Sequence, residues 1–257
     1  MALTWLRSER RRRLWLLPRR VGVHTHDVEY QPGFLARVYR PSGSLAWAAA
    51  LDVHGGNWTS GDRFQQELLD RSLAGNGVLV AAIDYRLAPP DAYPASVEDV
   101  GIAARWLRAH APDLGAEAAA PVGALGSSAG GHLAILRALR SPADFDFVVA
   151  DAPITDTTPY AEKHPYWPTR AAALEGSPLH VIQHVDAAKL PPLLITHGTL
   201  DDAVPIETSR AFAQSYGAEL LEFVGMRHAF ILTHPRGRAA RDMAEAVLRF
   251  IQDQRRW

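Results

Sequence analysis

Short apolar runs recur along the chain from residue 24 onward, and each is followed by a polar or glycine-rich segment. The later runs are almost wholly apolar rather than alternating, which is typical of strands buried on both faces of a parallel sheet. We predict eight strands, at residues 24–30, 35–39, 48–53, 78–84, 122–126, 147–151, 193–197 and 219–224.

Longer amphipathic segments lie between these runs. In the last of them Met243, Val247 and Ile251 recur every four residues, so we expect the final helix to bury that stripe. The predicted helices are residues 64–74, 96–109, 129–140, 206–216 and 237–252. Alternating strands and helices indicate an α/β fold with a mostly parallel sheet. A length of 257 residues suits one domain over the whole chain.

Two segments break this rhythm. Residues 155–190 have no clean period and contain four prolines, and an insertion of this length is often functional. We expect it to line a site at the carboxyl edge of the sheet, where ligands bind in such folds. Residues 1–25 are rich in arginine and are predicted to form an N-terminal arm or a minimal cap. Their apolar run, residues 14–18, is too short for a signal peptide or a membrane span, so we expect a cytoplasmic protein.

Composition removes several function classes. The net charge of −1 predicts no attraction to nucleic acid or to an anionic membrane. The absence of cysteine excludes a thiol nucleophile, disulfides and thiolate-bound zinc. No cluster with metal-ligand spacing is present, so we expect no metal and no cofactor. The sequence leaves the oligomeric state open, a homodimer included.

The first motif with chemical meaning is Gly126-Ser127-Ser128-Ala129-Gly130, between a predicted strand and a predicted helix. This is G-x-S-x-G, in which small residues permit a sharp strand-to-helix turn that exposes the serine hydroxyl. The backbone N–H after the serine lies at a helix N-terminus, where an oxyanion can be bound. We therefore predict Ser128 as a nucleophile and Ala129 as an oxyanion donor.

A second motif, His54-Gly55-Gly56-Asn57-Trp58, follows the strand at 48–53. Glycines after a buried strand let backbone N–H groups face a ligand without side chains in the way, although an ordinary turn would look the same. Together with the serine turn, it predicts the N–H groups of Gly56 and Asn57 as further oxyanion donors. Trp58 is predicted to form a wall of the substrate pocket.

Two further loops follow predicted strands and supply an acid and a base. One carries Asp201 and Asp202, either of which could hold an imidazole in one tautomer. The other carries His228, between the last strand and the last helix. The chain has 11 histidines, and His228 stands out because serine, aspartate and histidine then follow in the chain order of the α/β-hydrolases.

From about residue 28 to its end the chain resembles α/β-hydrolase esterases. The group includes hormone-sensitive-lipase-like esterases, feruloyl and acetyl-xylan esterases, and kynurenine formamidase. The residues that carry the resemblance are 54–58, 84–89, 93–95, 126–133, 197–205 and 228. In these families the acid lies in an HG-x-x-D pattern, which falls on Asp201. The lipase-like members usually show a third glycine where Asn57 stands, and the H-G-G-x-W form is closer to the feruloyl-esterase and formamidase side.

The resemblance implies a serine carboxylesterase with Ser128, His228 and Asp201 as its triad and a small-molecule ester as its substrate. Trp58 and Trp167, with other aromatic residues of the insertion, are predicted to contact the substrate and favour a short or aromatic acyl group. One alternative is an arylformamidase or another amide hydrolase. A more remote alternative is a binding protein that kept the fold without the chemistry.

Overall fold

One sheet of eight strands organises the chain, which a computed structural model describes at Leu17 and over residues 20–255. All eight predicted strands are confirmed, with ends shifted by at most two residues. They are β1 (Val23–Gln31), β2 (Phe34–Pro41), β3 (Ala48–Val53), β4 (Val78–Ile83), β5 (Val122–Ser127), β6 (Val148–Asp151), β7 (Leu193–Gly198) and β8 (Glu219–Phe223).

The strand order is β1-β2-β4-β3-β5-β6-β7-β8. Strand β2 runs antiparallel to both β1 and β4, and every later neighbouring pair is parallel. The carboxyl ends of β3, β5, β6 and β7 therefore meet at one edge of the sheet. The loops that follow these strands carry most of the predicted site residues, and His228 follows β8.

Helices cover both faces of this sheet. The five predicted helices are confirmed as α1 (Glu67–Ala74), α2 (Ala95–His110), α3 (Ala129–Arg140), α6 (Ile206–Tyr216) and α8 (Arg238–Asp253). Three short helices were not predicted: α4 (Arg170–Glu175), α5 (Pro178–Val181) and α7 (Phe230–Thr233). One or two turns are too few to give a recognisable hydrophobic period, so these helices exist through tertiary packing.

Strand β3 shows why the central runs lack alternation. Ala49, Leu51 and Val53 belong to a core on one face of the sheet. Ala48 and Ala50, which alternate with them along the strand, belong to a second core on the other face. The predicted stripe of the last helix, Met243, Val247 and Ile251, is buried in this second core.

The two irregular segments differ in what can be described. Residues 155–190 include the short helices α4 and α5, with one single helical turn before them and two after them, and Trp167 reaches into the first core. The predicted N-terminal arm, residues 1–25, lies largely outside the described residues. In the part of the chain that is described, no helix is both long enough and apolar enough to span a membrane.

Candidate active site

The turn from β5 into α3 presents Ser128 in a strained conformation. Its φ of 54° lies in the left-handed region, which residues other than glycine rarely adopt. The flanking glycines permit this turn: a Cβ at Gly130 would lie 1.9 Å from the Val53 carbonyl oxygen, and one at Gly126 2.5 Å from that of Gly130. The Ser128 N–H donates to the Asp151 carbonyl at 2.8 Å, which fixes the turn to β6.

A continuous hydrogen-bonded chain joins the three predicted catalytic side chains. Nε2 of His228 lies 3.0 Å from Oγ of Ser128, and Nδ1 of His228 lies 2.7 Å from Oδ2 of Asp201. The carboxylate accepts a hydrogen bond from the Nδ1–H group, which leaves the Nε2 lone pair facing the serine hydroxyl. Residues far apart in the sequence thus meet in the order acid, imidazole, hydroxyl.

Asp201 occupies the inner position of this chain and Asp202 does not. Oδ1 of Asp201 accepts the backbone N–H groups of Ala203 and Val204 at 2.9 and 2.8 Å. Nε2 of His197 lies 3.1 Å from its Oδ2. The Asp202 side chain is 65% exposed and pairs with Arg227 at the surface. Only Asp201 is therefore placed to orient His228.

The donors around Asp201 keep it ionised. Burial alone would raise its pKa, but hydrogen bonds from His197, His228 and the Val204 N–H hold the pKa of Asp201 well below its usual range. Burial would lower the pKa of His228, yet the hydrogen bond and charge of Asp201 outweigh it, so the pKa of His228 lies above its ordinary value. Asp201 therefore stabilises the imidazolium that forms when His228 takes up a proton.

Asp151, at the end of β6, is a further acid beside this chain. Its carboxyl is buried and accepts the Thr196 hydroxyl at 2.9 Å. Burial raises the pKa of Asp151 to about 6, against the hydrogen bond from Thr196 and the charges of His197 and His228. Its negative charge contributes in turn to the raised pKa of His228.

Residues 54–58, the glycine loop, follow β3 and face the serine. A Cβ at Gly56, whose φ is 111°, would lie 2.1 Å from the Ser60 carbonyl oxygen, so only glycine fits there. Among the described residues, the N–H groups of Gly56, Asn57 and Ala129 have no protein acceptor. Ala129 is buried at the first position of α3.

A cleft of about 540 Å³ opens above Ser128 and His228. This volume lies in the range that small-molecule sites occupy. Its wall includes Gly56 and Asn57 on one side and Ile154 with Tyr160, at the start of the insertion, on another. Within the part of the chain that the structure describes, no three histidine or acidic side chains are grouped to hold a metal ion.

The two predicted substrate-contacting tryptophans lie elsewhere. Trp58 and Trp167 are both 0% exposed, and neither borders the cleft. Their rings pack edge to face with centroids 5.2 Å apart, and Trp58 also stacks on Tyr166. The prediction that Trp58 forms the pocket wall is wrong for this cleft, because its ring is buried in the core.

Three buried residues of the site were not assigned by sequence reasoning. His132 accepts a hydrogen bond from Trp58, His197 supports Asp201, and Asp151 fixes the Ser128 turn. His132 and His197 both lie within the motifs that carry the resemblance, which was the available signal. Asp151 ends a predicted strand, and no local pattern marks it.

The chain also matches known protein families. A family model described as "Putative esterase" matches residues 104–242, and the model BD-FAE matches residues 38–161. The chain is 30% identical to esterase LipC of Mycobacterium tuberculosis over 82% of this chain and 60% of that protein. It is 36% identical to an ethyl acetate hydrolase of Pseudomonas putida over 54% of this chain and 45% of that protein. The chain thus spans about half the length of these curated relatives.

Solved structures agree in fold. The propionate-bound esterase Est2 of Thermogutta terrifontis superposes with a TM-score of 0.76 at 27% identity, over 90% of this chain and 94% of that one. The carboxylesterase EstE1, from a metagenomic library, superposes with a TM-score of 0.81 at 23% identity, over 97% and 98%. These superpositions confirm the predicted α/β-hydrolase fold.

Proposed function

Because this chain belongs to an esterase family of the α/β-hydrolase fold, we propose that it hydrolyses carboxylic esters through an acyl-enzyme on Ser128. The hydrogen-bonded chain from Asp201 through His228 to Ser128, open to the cleft at its serine end, is the observation that carries this proposal. A serine hydroxyl needs such a base to become a nucleophile at neutral pH.

In the first half-reaction, Oγ of Ser128 attacks the ester carbonyl carbon while Nε2 of His228 takes the hydroxyl proton. The carbonyl oxygen becomes an oxyanion, which accepts hydrogen bonds from the N–H groups of Gly56, Asn57 and Ala129. Removing one such donor typically costs about 3 kcal/mol of barrier. The intermediate then collapses, the C–O bond to the alcohol breaks, and His228 protonates the leaving oxygen.

In the second half-reaction, water takes the place of the alcohol. His228 removes a proton from it as it attacks the acyl carbon, and the same donors hold the second oxyanion. Collapse releases the carboxylic acid and returns the proton to Oγ of Ser128. Asp201 stays ionised throughout, because the hydrogen bonds from His197 and His228 hold its pKa far below neutrality despite its burial.

A short acyl chain suits this site best. The cleft has a volume of about 540 Å³, and the two tryptophans that were predicted to contact a short or aromatic acyl group lie in the core. The related Est2 was solved with propionate and with butyrate bound, and another relative is named an ethyl acetate hydrolase. Tyr160 borders the cleft and is the residue through which an aromatic acyl group would be preferred.

We expect the protein to hydrolyse p-nitrophenyl acetate and butyrate, with kcat/KM falling toward octanoate. A p-nitrophenyl phosphonate should label one residue, Ser128, because its phosphorus imitates the attacked carbonyl carbon. Rates with the ester series, with a feruloyl ester and with p-nitroacetanilide, together with peptide mass mapping of the labelled protein, provide the test. Faster cleavage of the anilide than of any ester would contradict the proposal, and so would labelling at another residue.

The pH dependence should report His228. Only neutral imidazole can take the Ser128 proton, so kcat/KM should fall as pH drops through the pKa of His228, which lies above its ordinary value of about 6.5. Asp151→Asn removes a negative charge that contributes to this raised value, while the amide oxygen can still accept the Thr196 hydroxyl. The acid limb of the profile should therefore move to lower pH. Identical limbs in the two proteins would show that Asp151 does not tune the base.

A further inference from the structure

The glycine loop holds two consecutive residues in an unfavourable backbone conformation. Asn57 and Trp58 have φ values of 54° and 60°, although neither is glycine. Such conformations are unfavourable for residues with a side chain and persist only where the surroundings enforce them. Because Asn57 carries a proposed oxyanion donor, whatever enforces this conformation also sets the position of that N–H.

Trp58 is the anchored end of the loop. Its indole Nε1–H donates to Nδ1 of His132 at 3.0 Å, and its carbonyl accepts the Ala88 N–H at 2.9 Å. The ring is fully buried and lies parallel to Tyr166, with centroids 5.4 Å apart. A fixed Trp58 leaves the adjacent Asn57 little freedom to rotate.

His132 joins this anchor to the nucleophile. It lies one turn into α3, and its backbone N–H donates to the Ser128 carbonyl at 3.0 Å. Nε2 of the ring lies 2.8 Å from the Gly176 carbonyl in the insertion, so it carries the proton and leaves the Nδ1 lone pair for Trp58. Burial lowers the pKa of His132 to about 4, against the hydrogen bond to Gly176, so this neutral tautomer persists at neutral pH.

The insertion holds the loop at a second point. Nδ1 of His164 accepts the Tyr166 N–H at 3.2 Å, so a neutral His164 carries its proton on Nε2. The Asn57 amide lies 3.0 Å from that nitrogen, and its two ends are interchangeable by a half-turn, so its oxygen is the better partner. Asn57 is thus in contact with His164 of the insertion, and Trp58 is hydrogen-bonded to His132 of α3.

We propose that His132 is a positioning residue for the oxyanion hole: through the Trp58 indole it holds the Gly56–Asn57 donors in register with Ser128, and through Gly176 it makes the insertion part of that support. The inference rests on the proposed function. It assigns the insertion a role in shaping the donors of the site, in addition to its contact with the cleft at Tyr160.

Two matched substitutions separate this role from ordinary packing. Trp58→Phe and Trp167→Phe remove the same atoms from neighbouring rings of one cluster. Only the first removes a hydrogen bond, because among the described residues the Trp167 indole N–H has no acceptor. We expect Trp58→Phe to lower kcat about 10- to 100-fold with little change in KM, since small misplacements of donors are costly in the transition state. Trp167→Phe should lose much less.

A trifluoromethyl ketone with the acyl chain of the best ester provides a readout specific to the oxyanion. Ser128 adds to it to give a stable hemiketal oxyanion, so its Ki should rise in Trp58→Phe by the same factor by which kcat/KM falls. His132→Asn, whose amide oxygen can still accept the indole N–H, should retain more activity than His132→Leu. Melting curves select the variants that are folded at the assay temperature.

The outcomes are distinguishable. Equal losses in Trp58→Phe and Trp167→Phe, or an unchanged Ki in Trp58→Phe, would overturn the inference while leaving the esterase proposal intact. Equal activities of His132→Asn and His132→Leu would overturn it as well. An unsubstituted protein that neither hydrolyses esters nor takes up the phosphonate at Ser128 would overturn the proposed function, and this inference with it.

Discussion

Replacing Ser128 with alanine should reduce ester hydrolysis by roughly 10⁶-fold in kcat, the order of the loss known for removal of a triad serine. The loss follows because Oγ of Ser128 is the atom that would carry the acyl group, and His228 alone has no bound nucleophile to activate. Within the described part of the chain, the Ser128 hydroxyl has its hydrogen-bond contact with Nε2 of His228, so its removal should leave the fold intact. Initial rates with p-nitrophenyl butyrate, followed at high enzyme concentration, measure the loss.

Ser127→Ala is the matched control for this loss. Ser127 is the neighbouring serine and is buried, and among the described residues its hydroxyl has one hydrogen-bond contact, a long one of 3.5 Å to the Asp151 carboxyl. It should retain most of the activity and still take up the phosphonate at Ser128. If Ser128→Ala kept more than a small fraction of the rate, another nucleophile or a bound water would have to perform the attack, and the acyl-enzyme proposal would fail.

The fold could be predicted from the sequence because strands that are buried on both faces of the sheet are mostly apolar along their whole length. In β3, β5 and β7 every residue is buried, so each strand reads as a compact apolar run between polar segments. The serine turn was equally readable, since the clashes at Gly126 and Gly130 show that side chains cannot fit there. For the buried strands and for the serine turn, the residues that the local sequence pattern requires are also those that the tertiary structure requires.

The orientation of a side chain in an irregular loop could not be predicted from the sequence. Trp58 follows two glycines that border the cleft, which led to the prediction that it forms a wall of the pocket. Its ring instead lies in the core, where it contacts His132 and Tyr166 of the insertion. Neither partner is near Trp58 in the chain, so no local pattern could have indicated the reversal.

The choice between Asp201 and Asp202 also depended on the orientation of a side chain in a loop. Both follow β7 and both are acceptable turn residues, so spacing alone left the acid open until the resemblance to known families favoured Asp201. Geometry gives the physical reason: Asp201 points inward, where His197 and His228 both meet Oδ2, while Asp202 points to solvent and to Arg227. Substituting each aspartate by asparagine should therefore have very different effects.

We expect Asp201→Asn to lower kcat about 10⁴-fold, as in other triads where asparagine replaces the acid. Two backbone N–H groups already occupy Oδ1, so the amide oxygen stays there and the NH₂ group takes the place of Oδ2. That group donates to Nδ1 of His228, which forces the imidazole proton onto Nε2, and a protonated Nε2 cannot accept the proton of Ser128.

Asp202→Asn makes the same chemical change at the neighbouring position, where the carboxylate is mostly exposed and its ion pair with Arg227 contributes little. It should therefore leave kcat nearly unchanged, and kcat values for both variants, measured on a plateau of the pH profile with melting temperatures alongside, compare the two aspartates directly. Similar losses in the two variants would mean that general loop electrostatics, rather than one oriented tautomer, sustains the base. A large loss confined to Asp202→Asn would transfer the role to the aspartate that both the motif and the geometry place outside the site.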